Sequence, residues 1–167
     1  EGMDTIGYYR DVNQQLAGVG EDSGVFASAF AVIRNLSSLL ENKADFGVRL
    51  KKAYDSGDKE TLAAMAQECD VIIGKISALR KAHRASWMEY NKPFGWEVHD
   101  IRYGGMLMRF DTVKERILDY LSGAIDSIGE LEAERLYLHA SDADVPDKIG
   151  GSFLWNQYPT IVTASRL

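Results

Sequence analysis

The chain contains one cysteine, Cys69. That excludes an internal disulfide and a cysteine zinc site, and it suits a reducing compartment, so the cytoplasm is the expected location. Prolines are scarce: Pro93, Pro146 and Pro159 are the only three, and residues 1–92 have none. Nothing in that first stretch therefore forbids long uninterrupted helices. No apolar run reaches the length of a membrane-spanning helix. No basic segment leads into an apolar one as in a signal peptide, although a fragment would not carry its own. Positive charge is also in short supply, with 19 Lys and Arg against 25 Asp and Glu and a net charge of −6. Nucleic acid is a poor partner for such a chain, because phosphate binding needs clustered cations. The period-two alternation of a half-buried strand is hard to find.

What the chain does have is length and helical spacing. Its 167 residues suffice for one domain with a core of its own. A hydrophobic share of 46% is that of a folded chain, not a disordered one. Residues 4–167 read as a single helical domain and residues 1–3 as a boundary or cloning remnant.

Ile6, Tyr9, Val12 and Leu16 share one face of a first helix, which Gly18 and Gly20 end. Ser23 is a candidate N-cap for a second. There Phe26, Phe30, Ile33, Leu36 and Leu40 form a stripe that thins toward Tyr54. One long helix to Tyr54 is expected, with a break near Asn42 as the alternative. Gly57 then stops the helix and Asp58 caps the next. Leu62, Met65, Cys69, Ile72, Ile76, Leu79, His83, Ser86 and Tyr90 step by three and four, a heptad seam predicting a helix from Lys59 to Asn91. At 1.5 Å per residue it would be roughly 50 Å long. Pro93 stops it.

A fourth segment from about Gly95 to Ser122 carries Tyr103, Met106, Phe110, Val113, Ile117, Tyr120 and Leu121. Gly104 and Gly105 inside it cost about 1 kcal/mol each against alanine. Close approach of a neighbouring helix or a kink would account for them. Ile128 to Leu136 reads as a short acidic helix, Ala140 to Gly151 as an exposed loop, and Phe153 to Val162 as an apolar tail that should dock. The expected fold is all-α: an up-down-up antiparallel bundle of three long helices, with short N- and C-terminal helices and a docked extended C-terminal tail.

Chemistry is harder to find. Di-iron bundles need Glu-x-x-His pairs, and none occurs; His-Glu-x-x-His is absent too, so no metal and no cofactor is expected. Cys69 lies within the seam and reads as a small hydrophobe, not a nucleophile. His83, on the same seam, reads as a hydrogen-bonded core histidine. No phosphate loop and no Gly-x-Ser-x-Gly elbow is present. The basic residues Lys75, Arg80, Lys81 and Arg84 spread over nearly three turns and read as a solvated face.

The turn from Arg84 to Gly105 is different. It gathers two tryptophans, Phe94, two tyrosines and several charges. Either it is an aromatic plug closing one end of the bundle, with Glu97, Asp100 and Arg102 in local ion pairs, or it is a docking surface for another domain or a sugar. Aromatics with arginine make up interface hot spots. The candidate contact residues are Trp87, Asn91, Phe94, Trp96, Glu97, Asp100 and Arg102.

The run Asn91-Lys-Pro-Phe-Gly-Trp-Glu-Val-His-Asp-Ile-Arg-Tyr-Gly-Gly105 resembles the C-terminal helical domain of a bacterial branch of glycoside hydrolase family 20, the exo-β-N-acetylhexosaminidases. Ala82-His-Arg-Ala85 with Trp87, Lys43-Ala-Asp-Phe-Gly-Val-Arg-Leu-Lys-Lys-Ala-Tyr-Asp-Ser-Gly-Asp58 and Ile161-Val-Thr-Ala-Ser165 are similar to it as well, so the likeness runs from about Tyr8 to the end. The resemblance implies a parent enzyme that removes terminal β-linked N-acetylglucosamine or N-acetylgalactosamine. It would do so on a (β/α)₈ barrel with an Asp-Glu pair and the substrate's acetamido group as nucleophile. This chain has no Asp-Glu dipeptide, and a barrel takes on the order of 250 residues of alternating strand and helix. No catalytic residue carries over.

The leading expectation is a non-catalytic accessory domain that braces the barrel of the same polypeptide or mediates assembly, homo-oligomerisation included. A glycan-binding module, a free-standing interaction protein and an enzyme in its own right are the rivals.

Overall fold

The computed structural model describes residues 4–20 and 24–133. They divide into two compact units, one ending at Ile128 and the other starting at Gly129. Among the described residues all regular structure is helical. The first unit holds α1 (Thr5–Leu16), a 3₁₀ turn (Gly24–Phe26), α2 (Ala27–Lys43), α3 (Phe46–Ser56), α4 (Lys59–Tyr90) and α5 (Trp96–Ser122). The described part of the second unit contains α6 (Gly129–Glu132). Ile128 and Ala133 of the expected acidic helix are not helical, and Ser23, residues 134–136 of that helix, the loop from Ala140 and the apolar tail from Phe153 lie outside the described residues.

The 32-residue α4 is the spine of the first unit. α2, α3 and α5 pack against it, and α1 packs on α2. Its seam is buried as its spacing predicts as far as Leu79: Leu62, Met65, Cys69, Ile72, Ile76 and Leu79 are all at most 5% exposed, whereas His83 and Ser86 are half-buried and Tyr90 at the end of the seam is exposed. Burial of each large side chain stabilises the fold by about 1.5–3 kcal/mol. α5 answers with Trp96, Tyr103, Phe110 and Ile117, all buried and seven residues apart, the repeat that keeps one helix face on its neighbour. Cross-links of polar side chains give the directions. Asp70 meets Lys114 and Arg80 meets Asp100, so α4 and α5 are antiparallel. Tyr90 reaches Val25 and Glu68 reaches Asn42, so α2 and α4 are antiparallel too.

The turn into α4 follows its residues. Gly57 takes the left-handed φ of +67° that a Cβ disfavours, and the Asp58 carboxylate accepts the Thr61 amide at 3.0 Å. That hydrogen bond lowers the Asp58 pKa. At the other end of α2, Gly20 has φ +88° and stands so close to Phe30 that a Cβ would lie 2.4 Å from the ring-bearing carbon. No other residue fits there.

Three expectations need correction. The second helix does not run unbroken to Tyr54: it ends at Lys43, and α3 starts at Phe46. Arg49 holds the break. Its Nε donates to Asp45, its Nη2 to the Asn42 carbonyl, and both Nη atoms to Glu68 on α4 at 2.8–2.9 Å. Secondly, the apolar stripe of α2 is not its buried face. Phe26, Ile33 and Leu36 are exposed, while Ser37 and Leu39 are buried. Lys75 of α4 binds the Ser38 carbonyl and the Asn42 side chain, and these polar anchors turn the Ser38–Asn42 side of α2 toward α4. Thirdly, Gly104 and Gly105 do not serve close packing among the described residues: a Cβ on either would meet none of their atoms within 4 Å.

Candidate interdomain surface at the aromatic turn

The turn between α4 and α5 is built by its own hydrogen bonds. Asn91 caps α4 in an extended conformation, as a residue near a following proline should. The Trp87 indole N–H donates to the Lys92 carbonyl at 2.9 Å. Gly95 takes φ +95°, and its N–H donates to the Glu97 carboxylate at 2.8 Å. Glu97 thus occupies the first turn of α5, where a carboxylate suits the helix dipole.

Behind the turn lies a cluster of rings. The Trp96 ring is 4% exposed. It packs on Trp87, His99 and Tyr103 with ring centroids 6.0, 5.2 and 6.4 Å away. His83 stands edge-on to His99 at 4.8 Å, and its Nδ1 is 3.0 Å from the Tyr103 hydroxyl. Burial and then the neighbouring His99 push the His83 pKa below its ordinary value. Burial likewise raises that of Tyr103. His83 has the hydrogen bond that its place on the seam implied, but it is half-buried and not a fully buried core histidine.

One carboxylate ties the cluster to α4. Asp100 Oδ1 accepts from Arg80 Nε and Nη2 at 2.9 and 2.6 Å, and from Trp96 Nε1 at 3.0 Å. Arg80 is therefore not part of a solvated face, and neither is Lys75. Arg80 and His99 escaped the sequence reading. The Arg80–Asp100 pair spans 20 residues across a turn, and the Glu-Val-His-Asp run does not reveal which of its members points inward.

The seven candidate residues thus fall into two sets. Trp96 is buried, and Trp87, Glu97 and Asp100 are held by hydrogen bonds within the turn. Asn91, Phe94 and Arg102 face outward, and Phe94 is 85% exposed. Of the three residues expected in local ion pairs, Asp100 forms one with Arg80, and Glu97 instead accepts from the Gly95 N–H. Arg102 makes neither a hydrogen bond nor an ion pair among the described residues. The Trp96 ring offers no open face to a sugar. Next to Tyr90 on the same end of the bundle, Val25 and Phe26 are exposed as well.

Elsewhere the structure offers little chemistry. Cys69 is fully buried, and burial pushes its thiol up to about 11, the wrong direction for a nucleophile. Among the described residues no cluster of three metal-ligating side chains occurs, and no helix is long and apolar enough to cross a membrane.

No curated protein matches this chain. A family model does: residues 1–150 match the one described as Glycoside Hydrolase 20C C-terminal domain, a span that takes in the whole of the first unit and the aromatic turn, and the chain belongs to that family.

Proposed function

We propose that this domain is the non-catalytic partner of a catalytic (β/α)₈ barrel in the same polypeptide. The whole enzyme is a β-N-acetylhexosaminidase that removes terminal β-linked N-acetylglucosamine or N-acetylgalactosamine. The observation that carries the reading is the family match over residues 1–150. One feature of the structure agrees with it. The end of the bundle at the aromatic turn presents exposed apolar side chains that the first unit does not itself cover.

On this reading the domain braces the barrel. Phe94, Asn91 and Arg102 make the contact, and Trp87, Trp96, Glu97 and Asp100 hold them in place. The rigid ring cluster matters because a contact presented on an ordered turn loses less entropy on docking than one on a loose loop.

The test is hydrolysis of a chromogenic β-N-acetylglucosaminide by this chain and by the full-length enzyme. Hydrolysis by the full-length enzyme alone is the expected result. Hydrolysis by this chain would overturn the reading, and so would its absence from both.

A further inference from the structure

α5 carries two lines of spaced residues, and the core accounts for one. Trp96, Tyr103, Phe110 and Ile117 are buried on the side that packs against α4. Val98, Ile101, Gly105, Met108 and Thr112 step by three, four, three and four, and all five are exposed. With 3.6 residues per turn, this second line runs about half a turn away from the buried one. Its steps are those of a coiled-coil seam, with Val98, Gly105 and Thr112 at a positions and Ile101 and Met108 at d positions.

The flanks of the line say what it pairs with. Arg102, Arg109 and Arg116 each follow one heptad after the last along one edge, and Glu97 and Asp111 stand along the other. Glu97, Arg102 and Arg109 are exposed. In a parallel, in-register pair of helices the residue before an a position meets the residue after the following d position of the other helix. Glu97 then meets Arg102 of a second copy, and Asp111 meets its Arg116. Turned antiparallel over the same stretch, the line would set Arg102 against Arg109 and Glu97 against Asp111, like charge on like. An exposed line edged by opposite charges in this order is complementary to itself, as a twofold interface must be. The contact ends after Thr112, because Glu115 and Asp119 take the next d and a positions and each would meet its own like charge.

We propose that the outer side of α5 is a homodimer seam, on which two copies of this chain pair their α5 helices in parallel and in register. Val98, Ile101 and Met108 supply its apolar contact, and Glu97 joins Arg102 of the other copy beside the aromatic turn. Glu97 uses Oε2 on the Gly95 N–H, and its carboxylate has a second oxygen to offer. Arg102 borders both the seam and the turn, and its guanidinium carries donors enough for a carboxylate of the second copy and for the barrel. The seam goes beyond the bracing role and does not depend on it.

A parallel, in-register seam sets each of its residues against itself, which gives the test. Met108→Cys, at a position 60% exposed, is made in the full-length enzyme, which is then mildly oxidised. The buried Cys69 stays out of reach. A disulfide joining residue 108 of two copies should form, whereas Val71→Cys, at an exposed position on α4, should give none. Adding Arg102→Glu to Met108→Cys should lower the yield severalfold, and adding Glu97→Arg as well should restore it, because the exchanged charges pair again. No disulfide at residue 108, an equal yield from Val71→Cys, a yield indifferent to Arg102→Glu, or no recovery in the exchanged variant would each overturn the seam. So would a disulfide from residue 108 to a barrel cysteine, which would give this side of α5 to the barrel.

Discussion

Arg80 and Asp100 meet through a single oxygen: two guanidinium nitrogens of Arg80 converge on Asp100 Oδ1, which also takes the indole N–H of Trp96. The pair locks the start of α5 to the last third of α4 and orients the buried tryptophan. Asp100→Ala should cost about 1–2 kcal/mol, because the pair is partly exposed but the indole loses its acceptor. A lower urea midpoint with a red-shifted tryptophan emission is the expected result. An unchanged midpoint would make the pair incidental.

Arg49 and Glu68 hold the break between α2 and α3. Burial alone would raise the Glu68 pKa, but hydrogen bonds from Arg49 and Asn42 outweigh it and hold the carboxyl below its usual range. The Arg49 guanidinium is pushed up in return, chiefly by its hydrogen bond to Glu68. Arg49→Met should destabilise the domain by about 1–3 kcal/mol, as it leaves a half-buried carboxylate without its main donor. Adding Glu68→Gln should recover part of that loss. A double-mutant cycle with no coupling would contradict the account.

Gly105 occupies an ordinary helical position in α5 with open space around its missing Cβ. Gly105→Ala should therefore stabilise this domain by about 0.5–1 kcal/mol, by lowering the entropy of the unfolded chain. A fall in the urea midpoint would reveal a close contact that the fold does not show.

His83 titrates below its ordinary value in the folded state. Between the folded and unfolded pKa values the unfolded chain binds more protons, so stability rises with pH across that window. The contribution of His83 is complete above the unfolded value of about 6.5 and is lost as pH falls through the folded one. His83→Gln, which keeps a partner for the Tyr103 hydroxyl, should flatten the loss of thermal stability between about pH 7 and pH 5 relative to the parent chain. Identical slopes would show that the histidine pair plays no part.

The long helices were legible because apolar spacing alone defines them. The α4 seam needed only its steps of three and four, and the turn at Gly57 and Asp58 only a glycine and a capping carboxylate. The break after Lys43 was legible only as an alternative. Polar residues at 41–43 hint at it, but Arg49 reaching across to Glu68 decides it, and no local pattern encodes that contact. The stripe of α2 shows the limit of periodicity. It groups Phe26, Ile33 and Leu36 on one face but does not say which neighbour that face meets, and the polar anchors at Ser38 and Asn42 turned it outward. At the aromatic turn, composition marked the right segment without separating its inner residues from its outer ones. Trp96 and Asp100 are inner because of Arg80 and His99, while Phe94 and Arg102 are outer because nothing in the first unit's described residues claims them.

The bracing role is tested most directly by thermal inactivation of hexosaminidase activity, comparing the full-length enzyme with one that lacks residues 4–167. The account predicts that the truncated enzyme hydrolyses the same substrate but loses activity at a clearly lower temperature. Equal inactivation temperatures would contradict it.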